Sequence, residues 1–388
     1  MARQSCPYFS RVWCFRYSNR FILNWTRIYP LCPIQATLLT GQNNTVIIFG
    51  QSSLNPSKGN CVAKSRVLIF EPIHQKGLDH LSKNGAEVVY APGFSEEEIC
   101  SVVDEVDAII ARAQGFIDGP VLDRAPRLKV VGRHGIGVDN IDVPAATERG
   151  IFVVNTPTGP VEAVAEYVAM SMVALPRRIP QADSATRQTD WDFRNRHHGP
   201  ELRGKTLGIV GFGRIGRRIA EICGPGYRMK TTYYDVYPAS EDEEKRLGIE
   251  RVEFDKLITE SDYITLNVPL VDQTHHLIDA RAMENMKPTA YLINCSRGPV
   301  VDEKALVQAL RANTIAGAVI DVFEEEPVQA DNPLLKLDNV LLSPHCSGHT
   351  SESAQNLSLV AADIIRILEG KRPEFPVNDP IHPRQTVT

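Results

Sequence analysis

Three side chains in the C-terminal half of the sequence have the types and spacing to do chemistry. They are Arg297 in Asn-Cys-Ser-Arg-Gly-Pro, Glu326 in Asp-Val-Phe-Glu-Glu-Glu-Pro and His345 in Leu-Ser-Pro-His-Cys. Each follows a short apolar run that reads as a strand, over 290–294, 316–320 and 340–342. An arginine offers a planar pair of donors that matches a carboxylate. A histidine titrates near neutral pH and can carry a proton. A carboxylate beside it fixes its tautomer and stabilises the imidazolium. Singly, each has a plainer reading: Arg297 as a surface ion-pair partner, Glu326 as one of three solvated acids, His345 as a satisfied loop histidine. Together, after successive strands, they supply what hydride transfer at a 2-hydroxy acid requires: a grip on the carboxylate, a proton carrier, and a group that holds the carrier in its working state.

The elements that must position them begin at 204–220. Residues 206–210 read as a buried strand, and Gly211, Gly213 and Gly216 form Gly-x-Gly-x-x-Gly. One glycine permits the tight turn, one lets a pyrophosphate approach bare backbone, and one lets the helix pack on the sheet. The helix N-terminus then offers free N–H groups and partial positive charge to phosphates. Asp235 follows at the end of the next apolar run, where an acid would hydrogen-bond a ribose 2′-hydroxyl and repel a 2′-phosphate. This combination predicts a dinucleotide site with NAD favoured over NADP. Further strands at 263–267, 290–294, 316–320 and 340–342, with helices at 254–259, 280–286 and 303–312, complete a doubly wound sheet whose ligand crevice lies at the strands' carboxyl ends.

Upstream, strands at 66–70, 87–90, 106–110 and 129–131 alternate with helices at 75–83 and 95–103, which predicts a smaller α/β domain. An apolar helix from 161 to about 175 follows, ended by Pro176 and Pro180 and suited to burial between domains and against a second subunit. A closing helix is expected over 351–368.

The chain has 388 residues with 43% hydrophobic content, room for two domains with proper cores. Its formal charge is −5, with no basic block of the kind nucleic acid recruits. Residues 1–64 hold seven of the 42 Lys and Arg and none of the 47 acids. That composition suits either an organellar transit peptide or an unstructured or mis-started extension, so the expected location is cytoplasmic, or mitochondrial if 1–64 is an address. No run is long and apolar enough to predict a membrane span. The eight cysteines form no Cys-x-x-Cys, which suggests reduced thiols and no metal site. The pairs His197-His198 and His275-His276 read as solvated loop histidines, since adjacent side chains point apart.

Over nearly all of 65–380 the sequence resembles the D-isomer-specific 2-hydroxyacid dehydrogenases. The carrying stretches are Val131-Gly-Arg-His-Gly-Ile-Gly-Val-Asp-Asn-Ile-Asp142, Asn155-Thr-Pro157 with Ala165-Glu166, the glycine-rich turn, Asn294-Cys-Ser-Arg-Gly298, Asp321-Val-Phe-Glu-Glu-Glu-Pro327 and Ser343-Pro-His345. The resemblance implies two Rossmann-like domains: a substrate domain over 65–164 with a return segment over 347–380, and an NAD-binding domain over 165–346. It implies Arg297, Glu326 and His345 as the catalytic set. Cofactor contacts would fall on Arg214, Ile215, Cys295, Ser296, Asp321 and the turn from His345 to Gly348, beside the glycines and Asp235. The first domain, with Gly135-Ile136-Gly137, would close over the substrate, in a homodimer.

Within the family the phrasing is most similar to the D-3-phosphoglycerate dehydrogenases, although Gly115, Pro160 and Val268 depart from them and no further domain is expected after 380. Arg112 and Arg133 are candidates to anchor a phosphate or carboxylate, or else are solvated surface arginines. The expected activity is NAD-dependent interconversion of a D-2-hydroxy acid and its 2-oxo acid. A hydroxypyruvate or glyoxylate reductase stays open, as does a non-catalytic NAD(H)-sensing co-repressor of the same fold.

Overall fold

The computed structural model describes residues 64–384 and, before them, only the backbone of two antiparallel strand pairs, Arg16–Tyr17 with Arg20–Phe21 and Ala36–Gly41 with Asn44–Phe49. The remainder of the expected leader lies outside the described residues. Residues 64–384 are built on two all-parallel sheets.

The first sheet carries β1 (Arg66–Ile69), β2 (Glu87–Tyr90), β3 (Ala108–Ala111), β4 (Val130–Arg133) and β5 (Phe152–Val154), in the order β2-β1-β3-β4-β5. Its inner strands are continuous apolar runs because helices cover both faces; Val67, Leu68, Ile69, Ile109 and Ile110 are fully buried. The helices between are α1 (Gln75–Lys83), α2 (Glu96–Cys100), α3 (Gly119–Asp123) and α4 (Val143–Glu148). A reciprocal Ser95–Glu98 capping box starts α2. This helix is shorter than the predicted 95–103: the Ser101 hydroxyl donates back to the Glu98 carbonyl at 2.7 Å, and a separate 3₁₀ turn covers Val103–Glu105.

α5 (Val161–Ala174) leads to the second sheet, with eight of its 14 residues buried. Val164, Val168 and Met172 share a core with Ile219, Ala220 and Cys223 of the glycine-rich helix. Pro180 does not end α5. It sits in the first turn of α6 (Ile179–Arg187), where its missing N–H costs nothing, and α7 (Phe193–Arg196) follows.

The second sheet contains β6 (Thr206–Val210), β7 (Lys230–Tyr234), β8 (Ile249–Arg251), β9 (Tyr263–Leu266), β10 (Tyr291–Asn294), β11 (Gly317–Ile320) and β12 (Val340–Leu342), in the order β8-β7-β6-β9-β10-β11-β12. Its helices are α8 (Arg214–Tyr227), α9 (Glu241–Leu247), α10 (Phe254–Glu260), α11 (Ala280–Asn285) and α12 (Glu303–Arg311). The chain grows outward from β6 in both directions, which opens a crevice at the carboxyl ends of β6 and β9.

The predicted closing helix is two: α13 (Ser351–Leu357) and α14 (Val360–Leu368). At the break the Ser358 hydroxyl donates to the Ala354 carbonyl at 2.9 Å and accepts the His74 N–H at 2.9 Å. α14 returns to the first sheet, with Val360 and Ile364 packed in one core with Val67, Ile69 and Val130. Pro376 bridges to Val154 at the sheet's edge. No described helix is long and apolar enough to cross a membrane.

His275 is an exposed loop side chain as expected, but His276 differs. The positive φ of His276, 49°, turns its ring beside that of His275, with centroids 4.1 Å apart. Its Nε2 lies 2.8 Å from Glu324 Oε1, so it is hydrogen-bonded and not a free loop side chain.

Candidate functional site

Every residue singled out in the second domain lies at or just beyond the carboxyl end of a strand. The glycine turn follows β6. Gly211 has φ 89°, and a Cβ there would press on the Asn267 carbonyl. A Cβ on Gly216 would overlap the Gly211 carbonyl, so the helix start sits directly against the turn. Gly213 caps α8 with open space around it, and Arg214 is exposed. Ile215 is half-buried against the α5–α8 core. The first turn of α8 carries no acid, so no carboxylate of the helix itself offsets its positive end. Asp235 follows β7 and accepts the N–H of Phe212 at 2.6 Å and of Tyr237 at 2.8 Å. It thus braces the turn while keeping a negative charge where a ribose would lie. This bare, glycine-lined cradle with a spaced acid fits a dinucleotide.

Asp321, fully buried at the end of β11, organises the turn that presents His345. Its carboxylate accepts the Ser343 hydroxyl at 2.6 Å and the N–H groups of Cys346 and Ser347 at 2.8 and 3.0 Å. Its carbonyl accepts the His345 N–H at 2.7 Å. Those bonds hold His345 at φ 50°, a left-handed conformation that a side chain adopts only under such constraint. The Tyr167 hydroxyl continues the chain, donating to Ser343 at 2.6 Å. Burial, with the charge of Asp321, pushes that phenol up to about 12, so it remains a donor. No sequence signal pointed to Tyr167 or Ser343 as supports of this turn. The carboxylate of Asp321 faces the protein; Cys295 and Gly348 are partly exposed, and the Ser296 hydroxyl turns inward to Asn294 at 2.8 Å.

His345 Nδ1 stands 2.8 Å from Glu326 Oε2, with both side chains partly open to solvent. The second carboxylate oxygen of Glu326 accepts the Phe323 N–H at 3.1 Å. Burial pushes the Glu326 carboxyl up, but the His345 bond and charge, the Phe323 amide and the charge of Arg297 together outweigh it and hold the group below the usual carboxylate range. The ring's Nδ1 is committed to Glu326, which leaves Nε2 as the atom for proton exchange.

Arg297 follows β10. Its Nη1 donates to the Ser296 carbonyl at 2.7 Å, and its Nε donates to Asp139 Oδ2 at 2.8 Å. Asp139 comes from the first domain, and sequence reasoning did not single it out although it stands inside the quoted Val-Asp-Asn. Burial works against its ionisation, but the bond and charge of Arg297 keep its carboxyl below the ordinary value.

The first domain brings the other candidates to the same place. The stretch after β4 lies against the arginine: a Cβ on Gly137 would overlap the Arg297 guanidinium, and one on Gly135 would press on that of Arg133. The Ile136 carbonyl accepts the Asn155 side-chain amide at 2.7 Å, which fixes this loop to the end of β5. Arg133 is half-buried; its Nη1 donates to the His134 carbonyl at 2.9 Å, and its buried Nε has no partner. Burial and the charge of Arg297 push its guanidinium down to about 10, still protonated at neutral pH. Arg112 donates from Nη1 to the Pro72 carbonyl at 2.8 Å, on a loop whose next two N–H groups are held by Glu71. His349, in the turn after His345, is kept below its ordinary value by burial and by the charges of Arg112 and His345. The arrangement therefore gathers three guanidiniums and a carboxylate-paired histidine, suited to holding an anionic substrate and moving one proton.

Residues 169–347 match the model of the D-isomer specific 2-hydroxyacid dehydrogenase family's NAD-binding domain. A D-3-phosphoglycerate dehydrogenase of Archaeoglobus fulgidus is 42% identical over 316 residues, 81% of this chain. The chain spans only 59% of that relative's length. A glyoxylate reductase of Thermofilum pendens is 40% identical over 324 residues, 82% of this chain and 95% of the relative. Among solved structures, an NADPH-dependent glyoxylate/hydroxypyruvate reductase of Sinorhizobium meliloti, in complex with NADP and malonate, superposes with a TM-score of 0.75 at 30% identity, covering 84% of this chain and all of that one. The apo D-mandelate dehydrogenase of Rhodotorula graminis gives 0.74 at 30% identity, covering 83% and 100%.

Proposed function

The chain belongs to the D-isomer specific 2-hydroxyacid dehydrogenase family, and on that footing we propose that it interconverts a D-2-hydroxy acid and its 2-oxo acid. The observation that carries this is the 2.8 Å pairing of His345 with Glu326 in a crevice shared with Arg297. When bound, the dinucleotide supplies or takes the hydride. Arg297 holds the substrate carboxylate and polarises the 2-oxo oxygen. His345 Nε2 delivers the proton to that oxygen in reduction and removes it in oxidation. Glu326, ionised throughout the neutral range, stabilises the charged ring and fixes its tautomer. Asp235 supports NAD over NADP, since a 2′-phosphate would meet its charge.

The substrate we favour carries a second anionic group, as 3-phosphoglycerate and 3-phosphohydroxypyruvate do. Arg112 and Arg133 support this, because two guanidiniums, one against Gly135 and the other near enough to act on it by charge, exceed what one carboxylate needs. The second reading, a glyoxylate or hydroxypyruvate reductase, is supported by the 95% span of the Thermofilum pendens enzyme. We also propose a homodimer, on the exposed apolar residues Met170, Ile179 and Trp191 of 161–196, which sedimentation velocity would test.

The test is to mix the protein with NADH or NADPH and with 3-phosphohydroxypyruvate, hydroxypyruvate and glyoxylate, and to follow the reduced-nicotinamide absorbance. Fast oxidation of NADH by one of the three supports the enzyme and names its substrate. Saturable NADH binding with no turnover on any 2-oxo acid would instead mark a non-catalytic NADH sensor.

A further inference from the structure

Arg297 and Asp139 stand 158 positions apart in sequence and on different sheets, yet they form the ion pair that joins the two sheets' carboxyl ends. Nε donates to Asp139 Oδ2 at 2.8 Å, and Nη2 lies at the same distance from the same oxygen. Nη1 is tied to the Ser296 carbonyl. An arginine has five N–H donors in one plane. Contacts on its Nε side and at Nη1 fix that plane and leave donors at the outer end of the fork. Gly137, two residues before Asp139, lies against Nη2 and the same Asp139 oxygen. Asp139 therefore occupies the side edge of the guanidinium, between Nε and Nη2, and leaves the end between Nη1 and Nη2.

Charge makes the same point. The like charge of Arg297 acts on Arg133, and Asp139, ahead of Glu71, is the carboxylate that most offsets it there. Among the described ion pairs, Asp139 is the carboxylate from the first sheet's side that is bonded to Arg297. We propose that Asp139 is the positioning residue of Arg297: reaching across from the first sheet, it sets the plane of the guanidinium, so that the carboxylate grip is complete only when the two sheets stand together. This rests on the reading of Arg297 as the substrate's carboxylate partner, and goes beyond it by naming what orients that partner.

The experiment compares wild type with Asp139→Ala and Asp139→Asn, which retains an oxygen to accept from Nε. Two quantities are read: kcat and KM for the 2-oxo acid on which wild type is active, and, independent of turnover, calorimetric affinity of NADH-saturated protein for malonate. The expectation for Asp139→Ala is a kcat/KM lowered on the order of 10²-fold, the effect of misplacing a substrate-positioning group by about 1 Å. Malonate affinity should fall with it while NADH affinity is unchanged, and Asp139→Asn should recover most of both losses. A purely architectural role would instead lower NADH affinity and thermal stability together.

The proposal is overturned if Asp139→Ala matches wild type in kcat/KM and malonate affinity. Tighter malonate binding also overturns it, since Asp139 would then compete with the substrate. So does an Asp139→Asn variant no better than Asp139→Ala. Should Asp139→Ala fail to fold, Asp139→Ser takes its place under the same criteria. A wild type with no turnover on any 2-oxo acid sinks the enzyme reading alone, and malonate titration still decides Asp139; wild type binding malonate no tighter than the variant sinks this proposal.

Discussion

Gly137→Ala is the smallest change that reaches Arg297, the proposed substrate arginine, without touching it chemically. Gly137 is not in the left-handed region, so alanine fits its backbone and the effect is purely steric. The new methyl would overlap the Arg297 guanidinium and crowd Asp139 Oδ2. The guanidinium is the free end of a flexible side chain, so it yields first. To reach ordinary van der Waals separation it must retreat by about 1.5–2 Å, which breaks its 2.8 Å bond to Asp139. Misplacing a positioning group by about 1 Å costs roughly 10²-fold in rate, or about 3 kcal/mol in the barrier at ~1.4 kcal/mol per factor of ten. We therefore expect kcat/KM for the 2-oxo acid to fall by about 10²-fold or more, with NADH affinity intact because the glycine turn after β6 is untouched. Steady-state kinetics and a fluorescence titration with NADH check both halves. Wild-type kcat/KM in Gly137→Ala would refute the placement of Arg297 against this loop.

Other perturbations test separate parts of the account. His134 is 6% exposed, and burial first, then the charges of Arg112, Arg133 and His349, push it down to about 3. Unfolded, it titrates near 6.5, so between those values the unfolded chain binds the extra proton and stability rises with pH. Lowering the pH from about 7.5 to about 5 should therefore cost wild type about 2 kcal/mol that His134→Gln does not lose; parallel denaturant profiles for the two proteins would contradict this. Asp235→Asn keeps an oxygen for the Phe212 N–H but drops the charge, and should narrow the preference for NADH over NADPH by about tenfold. An unchanged cofactor ratio removes Asp235 from that role. Glu326→Gln should lower kcat by on the order of 10²–10⁴-fold, since an amide can hold the ring but cannot stabilise its charge; kcat equal to wild type's would show that the pair is ornamental to the chemistry.

What the sequence disclosed and what it withheld follow from how local each signal is. The glycine turn, its helix and Asp235 lie within one β-α-β unit, and strand runs of buried apolar residues announce themselves without reference to the rest of the chain. His345 and Glu326 could be picked out because each directly follows a strand of the same parallel sheet, and such a sheet aligns its carboxyl ends. Asp139 was not visible as a partner of Arg297, because their meeting depends on how two sheets face each other. The support of His345 by Tyr167 was hidden for a related reason, since Tyr167 approaches from α5, far away in sequence. Local rules failed where tertiary bonds overrode them. Ser358 satisfies His74 across the fold and breaks the closing helix, and Pro180 starts a helix where proline alone suggests a stop. The positive φ of His276 reverses the rule that adjacent side chains diverge.

The central claim is that His345 Nε2 moves the proton that accompanies hydride transfer. The most direct measurement is the rate of NADH oxidation by His345→Ala at saturating 2-oxo acid, paired with an NADH titration of the same protein. We expect turnover to be abolished while NADH binds with wild-type affinity. Turnover retained at the wild-type rate would contradict the claim.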